Sequence, residues 1–345
     1  MAPCLLTSTD LSSHPLDEGA IVSIASDGHS FDVISSRKMS PKKIVRKSPA
    51  SQTVPAKNGK ASKPKRQGTL FVIGGHEDRH AVNGILTEFA RRVGDGKLVV
   101  ATAASSEPQG LFHDYVKAFQ EAGVRKISEL IIRERKDALE PAAMAAMADA
   151  TGVFFTGGDQ LRVTSHIGGS PVHERIIEIF HAGGVIGGTS AGASIVADNM
   201  LIKDEPQQAS QISDATLEIL PGLGLLHHTI IDQHFTQRGR LGRLIGAVCR
   251  NPTSLGLGLD ENTGAIFEGH ETLHVVGAGA VYVVDAKHLT YSNFADEMTG
   301  NTMSVYDLRL HVLSQGDAFD LGTRLPHRLS KQKQLKLLRQ EPIAK

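Results

Sequence analysis

"GVIGGTSAGASIVADNM", residues 184–200, passes from an apolar run through Gly188-Thr189-Ser190-Ala191-Gly192 into a segment of helical character. That is the strand, turn and helix order which a G-x-S-x-G nucleophile elbow requires. The glycines have a physical task, because a sharp turn needs unusual dihedrals and a close backbone approach that side chains obstruct. Ser190 is expected at the tip, beside the positive end of the following helix dipole. Gly-rich turns also serve where a helix simply packs on a sheet, so the turn alone does not fix a chemistry.

Outward from this stretch the same rhythm recurs. Short apolar runs "TLFVIGG" (69–75), "KLVVATAA" (97–104), "ISELII" (127–132) and "GVFFTGG" (152–158) alternate with amphipathic segments such as "NGILTEFARRVG" and "LFHDYVKAFQEAG". Alternation of strand and helix predicts an α/β fold, a doubly wound and mostly parallel sheet flanked by helices, with the loops at the strands' carboxyl ends gathered into a cleft. From about Ser254 the pattern is strand-rich, which predicts added C-terminal antiparallel strands on the same core.

Between Val33 and Gly75 there is no acidic residue, while eleven Lys and Arg accumulate among Ser, Pro and Gly. Such a segment buries too little apolar surface to offset its ordering entropy. The expected division is therefore a disordered basic arm over 1–67, a catalytic α/β domain over 68–325 and a basic tail over 326–345. With 345 residues, 40% of them hydrophobic, the chain can build a large core. Lys+Arg and Asp+Glu both total 37, so net charge gives no argument for nucleic acid or a membrane as partner. The two cysteines, Cys4 and Cys249, have no disulfide or metal-site spacing. The N-terminus lacks a basic start followed by an apolar run, and no stretch reaches membrane-helix length, so a cytoplasmic location is expected.

"IGGHEDRH", residues 73–80, contains His76-Glu77-Asp78-Arg79-His80, a match to the zinc motif H-E-x-x-H. That motif needs a helix to bring its histidines onto one face, whereas this string leaves a strand through Gly74-Gly75. No metal or other cofactor is expected. The serine needs a base instead, itself oriented by an acid. "HHTIIDQHFTQRGRLGRL" (227–244) offers His234 just past an apolar strand; His227 and His228 precede that strand and are expected at its far end. "SLGLGLDENTGAI" (254–266) places Asp260 and Glu261 past another strand. Both sets are expected to open onto the same sheet edge. The order Ser, His, acid differs from that of an α/β-hydrolase. The turn in "FFTGGDQ" suggests an oxyanion hole built from backbone N–H groups of Gly158 and Ala191, since such donors must already point at the developing charge.

The set "IGGHED", "FTGGDQLR", "GGTSAGAS", "DQHFTQRGRLGRL" and "GLGLDENT" resembles the cyanophycinases, a serine exopeptidase family related to the aspartyl dipeptidases, with a fold like that of class I glutamine amidotransferases. The resemblance runs from about residue 69 to residue 290. It implies Ser190 as nucleophile, His234 as base and Glu261 as the orienting acid, with Gln160, Asp232, Gln233, Arg238, Arg240 and Arg243 shaping the substrate cleft. It also implies cyanophycin or a β-aspartyl peptide as substrate, released as β-Asp-Arg dipeptides, and a homodimer. The family usually has a small residue where His76 stands. Arg238, Arg240 and Arg243 suit a polymer bearing free carboxylates, because a planar guanidinium matches a carboxylate's fork. The alternatives are an aspartyl or isoaspartyl dipeptidase with the same triad, and a non-catalytic homologue that binds the granule through its basic arm. An amidotransferase would need a cysteine at the elbow, where Ser190 stands.

Overall fold

The five apolar runs of the N-terminal half form strands Thr69–Ile73, Lys97–Ala101, Lys126–Leu130, Ala150–Phe155 and Val185–Thr189. The structure is a computed structural model that describes residues 68–202, 217–269, 271–294 and 303–330. The basic arm expected over 1–67 and the end of the tail from residue 331 lie outside the described residues. The five strands pair in parallel in the order Thr69–Ile73, Val185–Thr189, Ala150–Phe155, Lys97–Ala101, Lys126–Leu130. The open flank of Thr69–Ile73 is extended antiparallel by Thr263–Glu268, Thr272–Gly277, Asp317–Asp320 and Leu325–Arg328, which completes nine strands. Leu325–Arg328 carries sheet pairing past the boundary drawn at residue 326.

A second sheet has six strands, in the order Arg309–Leu313, Val281–Asp285, Leu255–Leu259, Leu226–Asp232, Ala197–Ile202, Glu218–Pro221, and Tyr291–Ser292 pairs apart with Val305–Tyr306. Within the six-stranded sheet Leu255–Leu259, Leu226–Asp232 and Ala197–Ile202 are mutually parallel. The expected fold class holds, with one refinement. The strands of the base and of the acid belong to the second sheet, so they meet the nucleophile's strand across a junction between sheets.

Side-chain alternation explains the layering. Along Thr69–Ile73, Leu70 and Val72 enter one apolar cluster while Phe71 and Ile73 enter another, as period-2 geometry demands. The first cluster joins both sheets, because Val99, Phe155 and Ile186 share it with Ile231, Leu257 and Val283. The second covers the nine-stranded sheet's other face with helices Ile85–Val93 and Pro108–Glu121. A third packs helix Leu241–Arg250 on the six-stranded sheet through Leu244, Ala247 and Val248. Among the described residues no helix is long and apolar enough to cross a membrane.

Phe154 is fully buried and meets the rings of Tyr115, Phe119 and Phe89 at centroid distances of 5.1, 5.1 and 5.3 Å. Truncation there removes the transfer energy and leaves a cavity between rigid elements. Phe154→Ala is expected to lower stability by about 3–5 kcal/mol in urea unfolding; a loss under about 1 kcal/mol would contradict this packing.

Candidate active site

The elbow begins with steric fit. A Cβ on Gly188 would come within 2.0 Å of the Gly192 carbonyl oxygen, and one on Gly192 within 2.3 Å of that of Phe155. Only glycine at both positions lets the turn pack this closely on its own strand and on the neighbouring strand Ala150–Phe155. Ser190 sits at the apex with φ 53° and ψ −117°, a region that costs a non-glycine residue about 1–3 kcal/mol. Its N–H donates to the Ile73 carbonyl at 3.0 Å, which fixes the apex against the neighbouring strand. The helix that follows, Ala191–Ser194, is a single turn.

His234 follows the Leu226–Asp232 strand, also with positive φ, 46°. Its N–H donates to the Gly74 carbonyl at 2.9 Å. The imidazole lies over Gly75, where a Cβ would stand 2.4 Å from its Cε1. Gly75 is thus the floor beneath the ring. Ser190 Oγ and His234 Nε2 are 2.8 Å apart, and His234 Nδ1 is 2.7 Å from Glu261 Oε1. The candidate nucleophile, base and acid are therefore one hydrogen-bonded chain.

Asp260, the rival acid, is occupied elsewhere. Its Oδ1 accepts from the Thr236 N–H and hydroxyl, and its Oδ2 from the Ala280 N–H. It holds the loop after His234 instead of touching the ring. His227 and His228 lie at the other end of their strand, in a cleft with Lys287 and Arg324. Cys249 is buried on helix Leu241–Arg250, and burial pushes its thiol up to about 11.

Electrostatics suit proton exchange. Burial pushes the His234 imidazole below its ordinary 6.5; the Glu261 hydrogen bond opposes this, and the charges of Arg238 and His76 add to the lowering. Partial burial pushes the Glu261 carboxyl up, but hydrogen bonds to His76 and His234 outweigh it and hold the group below its usual range. Near neutrality the ring is free to accept a proton while its partner stays ionised.

A cleft of about 510 Å³ opens beside Ser190, lined by Gly158, Gln160, Glu218, Gln233, Arg238, Arg240 and Arg243 among others. Asp232 is fully buried beneath this wall. It receives Arg243 through both oxygens, at 2.7 and 2.6 Å, and Arg240 at 3.2 Å. Arg240 is itself buried and also donates to the Gln233 side chain at 2.8 Å. Arg238, in the turn before the helix, is exposed. Hence Asp232 and Arg240 form the scaffold, and Arg238 stands at the exposed rim of the cleft. The Gln160 amide donates to the Leu201 carbonyl. The N–H groups of Gly158 and Ala191 have no acceptor among the described residues, as an anion-receiving pair requires. A Cβ at Gly158 would lie 2.1 Å from the Ala104 carbonyl oxygen. Substitution there disturbs the loop as well as the donor.

The five residues 76–80 lie outside any helix. His80 pairs with Glu121 at 2.9 Å. Glu77 is buried and accepts from the hydroxyls of Tyr115 and Thr189, each at 2.5 Å, which props the elbow from below. His76 turns toward the acid, with Nδ1 2.9 Å from Glu261 Oε1. Sequence reasoning missed both roles; the only signal was the position of these residues directly after the Gly74-Gly75 strand end.

The model of peptidase family S51 matches residues 70–275. A cyanophycinase of Trichormus variabilis is 38% identical over 303 residues, covering 85% of this chain and 100% of its own. One of Synechococcus elongatus is 35% identical over 284 residues, covering 81% and 88%. Among solved structures, a peptidase from an acI-B1 Actinobacterium superposes with a TM-score of 0.53 at 19% identity, covering 74% of this chain and 98% of that one. That likeness shows the fold.

By NMR the His234 ring is expected to titrate below 6.5, with the resonance assigned by its loss in His234→Gln. Because Glu261 favours the charged ring, Glu261→Gln should move the titration lower still. A midpoint above 6.5 in the unaltered protein would contradict the burial argument.

Proposed function

The chain belongs to peptidase family S51, and from that premise we propose that it is a serine exopeptidase of cyanophycin, releasing β-Asp-Arg dipeptides through an acyl-enzyme. The observation that carries this reading is the continuous hydrogen-bonded chain Ser190, His234, Glu261 beside an arginine-bearing cleft. The relatives named cyanophycinase support the choice of substrate.

In this mechanism Ser190 Oγ attacks the backbone carbonyl carbon of a terminal unit while its proton passes to His234 Nε2. The oxygen that becomes an oxyanion turns toward the N–H groups of Gly158 and Ala191, which are fixed before the reaction begins. Collapse breaks the C–N bond, and His234 returns the proton to the leaving amine. Water then attacks the ester, giving its proton to His234, which passes it to Ser190 Oγ as the bond from that oxygen to the acyl carbon breaks. Glu261 keeps the ring's Nδ1–H directed away from the serine and balances the imidazolium charge. Arg238 and Arg243 face the free carboxylates of the polymer, with Gln160 and Gln233 on the same wall, and buried Asp232 and Arg240 hold Arg243 in place. The expected assembly is a homodimer, to be read from light scattering.

Ser190→Ala and His234→Ala should each lower dipeptide release about a thousandfold or more while the protein stays folded. Near-full activity in either would show the triad to be misassigned. Gly75→Ala drives a methyl into the imidazole's place and should cost about a hundredfold in kcat. Arg238→Ala should act mainly on KM, whereas Arg240→Ala, which strips a partner from buried Asp232, should cost about 3–5 kcal/mol of stability. Clearing of insoluble cyanophycin with product analysis distinguishes this reading from its rivals, because a dipeptidase or a non-catalytic binder would leave the polymer intact.

A further inference from the structure

One imidazole in contact with the triad has no task in the peptidase chemistry. His76 is largely exposed, with 75% of its side chain open to solvent, and its Nδ1 lies 2.9 Å from Glu261 Oε1. The same oxygen is 2.7 Å from His234 Nδ1. The two rings stand edge to face, centroids 5.1 Å apart at 74°. One ligating atom from each of His76, His234 and Glu261 falls within 4.8 Å of the others.

Zinc holds imidazole nitrogen and carboxylate oxygen at about 2.0–2.2 Å in a tetrahedron, which sets ligand atoms roughly 3.3–3.5 Å apart. The two contacts at Glu261 need to lengthen by about 0.4–0.8 Å to reach that spacing. Both histidines have backbones of positive φ, 47° and 46°, and their backbones lie side by side, since His234 N–H is bound to the carbonyl of Gly74, two residues before His76. The ligands are therefore placed by the backbone. Two imidazoles and one carboxylate suit zinc-like ions better than magnesium or calcium, which favour all-oxygen shells. The exposed side of His76 leaves the fourth position open to water.

We propose that His76, His234 and Glu261 form an inhibitory site for a divalent transition ion of the zinc type, an inference that rests on the triad reading above. Binding at His234 Nδ1 requires that atom's lone pair, so the ring's single proton moves to Nε2. Nε2 then donates toward Ser190 and has no lone pair left to accept its proton. The ion also ties up the Glu261 carboxylate that would stabilise an imidazolium. Here zinc switches hydrolysis off, the reverse of its part in an H-E-x-x-H enzyme.

The test uses the untagged full chain, stripped by chelator, with Co²⁺ as the spectroscopic probe and zinc chloride as the inhibitor. The wild type and Ser190→Ala should each bind one Co²⁺ per chain at this site with the visible absorption of a four-coordinate ion, although Ser190→Ala is inactive. His76→Ala and His76→Gln should bind at least about tenfold more weakly. Zinc should inhibit wild-type hydrolysis reversibly. Its midpoint should rise about tenfold or more in the His76 variants, each measured against its own metal-free rate. Unchanged cobalt binding in both His76 variants, or an unchanged zinc midpoint, would overturn the proposal. If the chain cleaves no polymer at all, the peptidase reading fails, while the cobalt titration still decides the ion site.

Discussion

Three consecutive carbonyls organise this molecule. The oxygens of Ile73, Gly74 and Gly75 accept the N–H groups of Ser190, His234 and Asn262 at 3.0, 2.9 and 2.8 Å. Each bond contributes only about 1 kcal/mol net. Their effect is positional: one extended segment sets the register of the nucleophile, the base and the neighbour of the acid, which come from two different sheets. The close approach explains the glycines. A Cβ on Gly74 would strike the Asp260 carbonyl oxygen at 2.0 Å, and one on Gly75 would enter the His234 ring. The strand end that leads into the metal-like string is the ruler along which the serine site is laid out.

That layout places backbone strain where the chemistry is. Ser190, His234 and His76 all have positive φ, and each such position costs about 1–3 kcal/mol in an L-residue. The cost is sustained by burial around it. Glu77 grips Tyr115 and Thr189 beneath the elbow, and Asp260 clamps the turn after His234. Functional groups are thereby held at hydrogen-bond distance before any substrate arrives, which is the condition for proton transfer without reorganisation.

Much of this was legible in the sequence because it depends on local order. An apolar run, a Gly-rich turn and a helical segment specify the elbow around Ser190, and strand ends before His234 and Glu261 point both toward a cleft. The division into two sheets was not legible. Apolar runs such as "TLFVIGG" and "SLGLGLDE" both read as buried strands, and alternation reveals burial without revealing which strand pairs with which. The roles of Asp232 and Arg240 were hidden for a related reason. Charged residues separated by a turn give no periodic sign that they will meet inside the protein, so both read as groups for the substrate. The pairing of His76 with Glu261 was hidden because the acid comes from a distant strand end in the chain.

The central claim is that the hydrogen-bonded chain from Glu261 through His234 makes Ser190 reactive. A serine-directed sulfonyl fluoride, followed by peptide mass spectrometry, tests it most directly. The account predicts a single adduct on Ser190 in the wild type and labelling lost in His234→Ala. Cleavage of polymer by a protein whose Ser190 stays unlabelled, or equal labelling without His234, would contradict it.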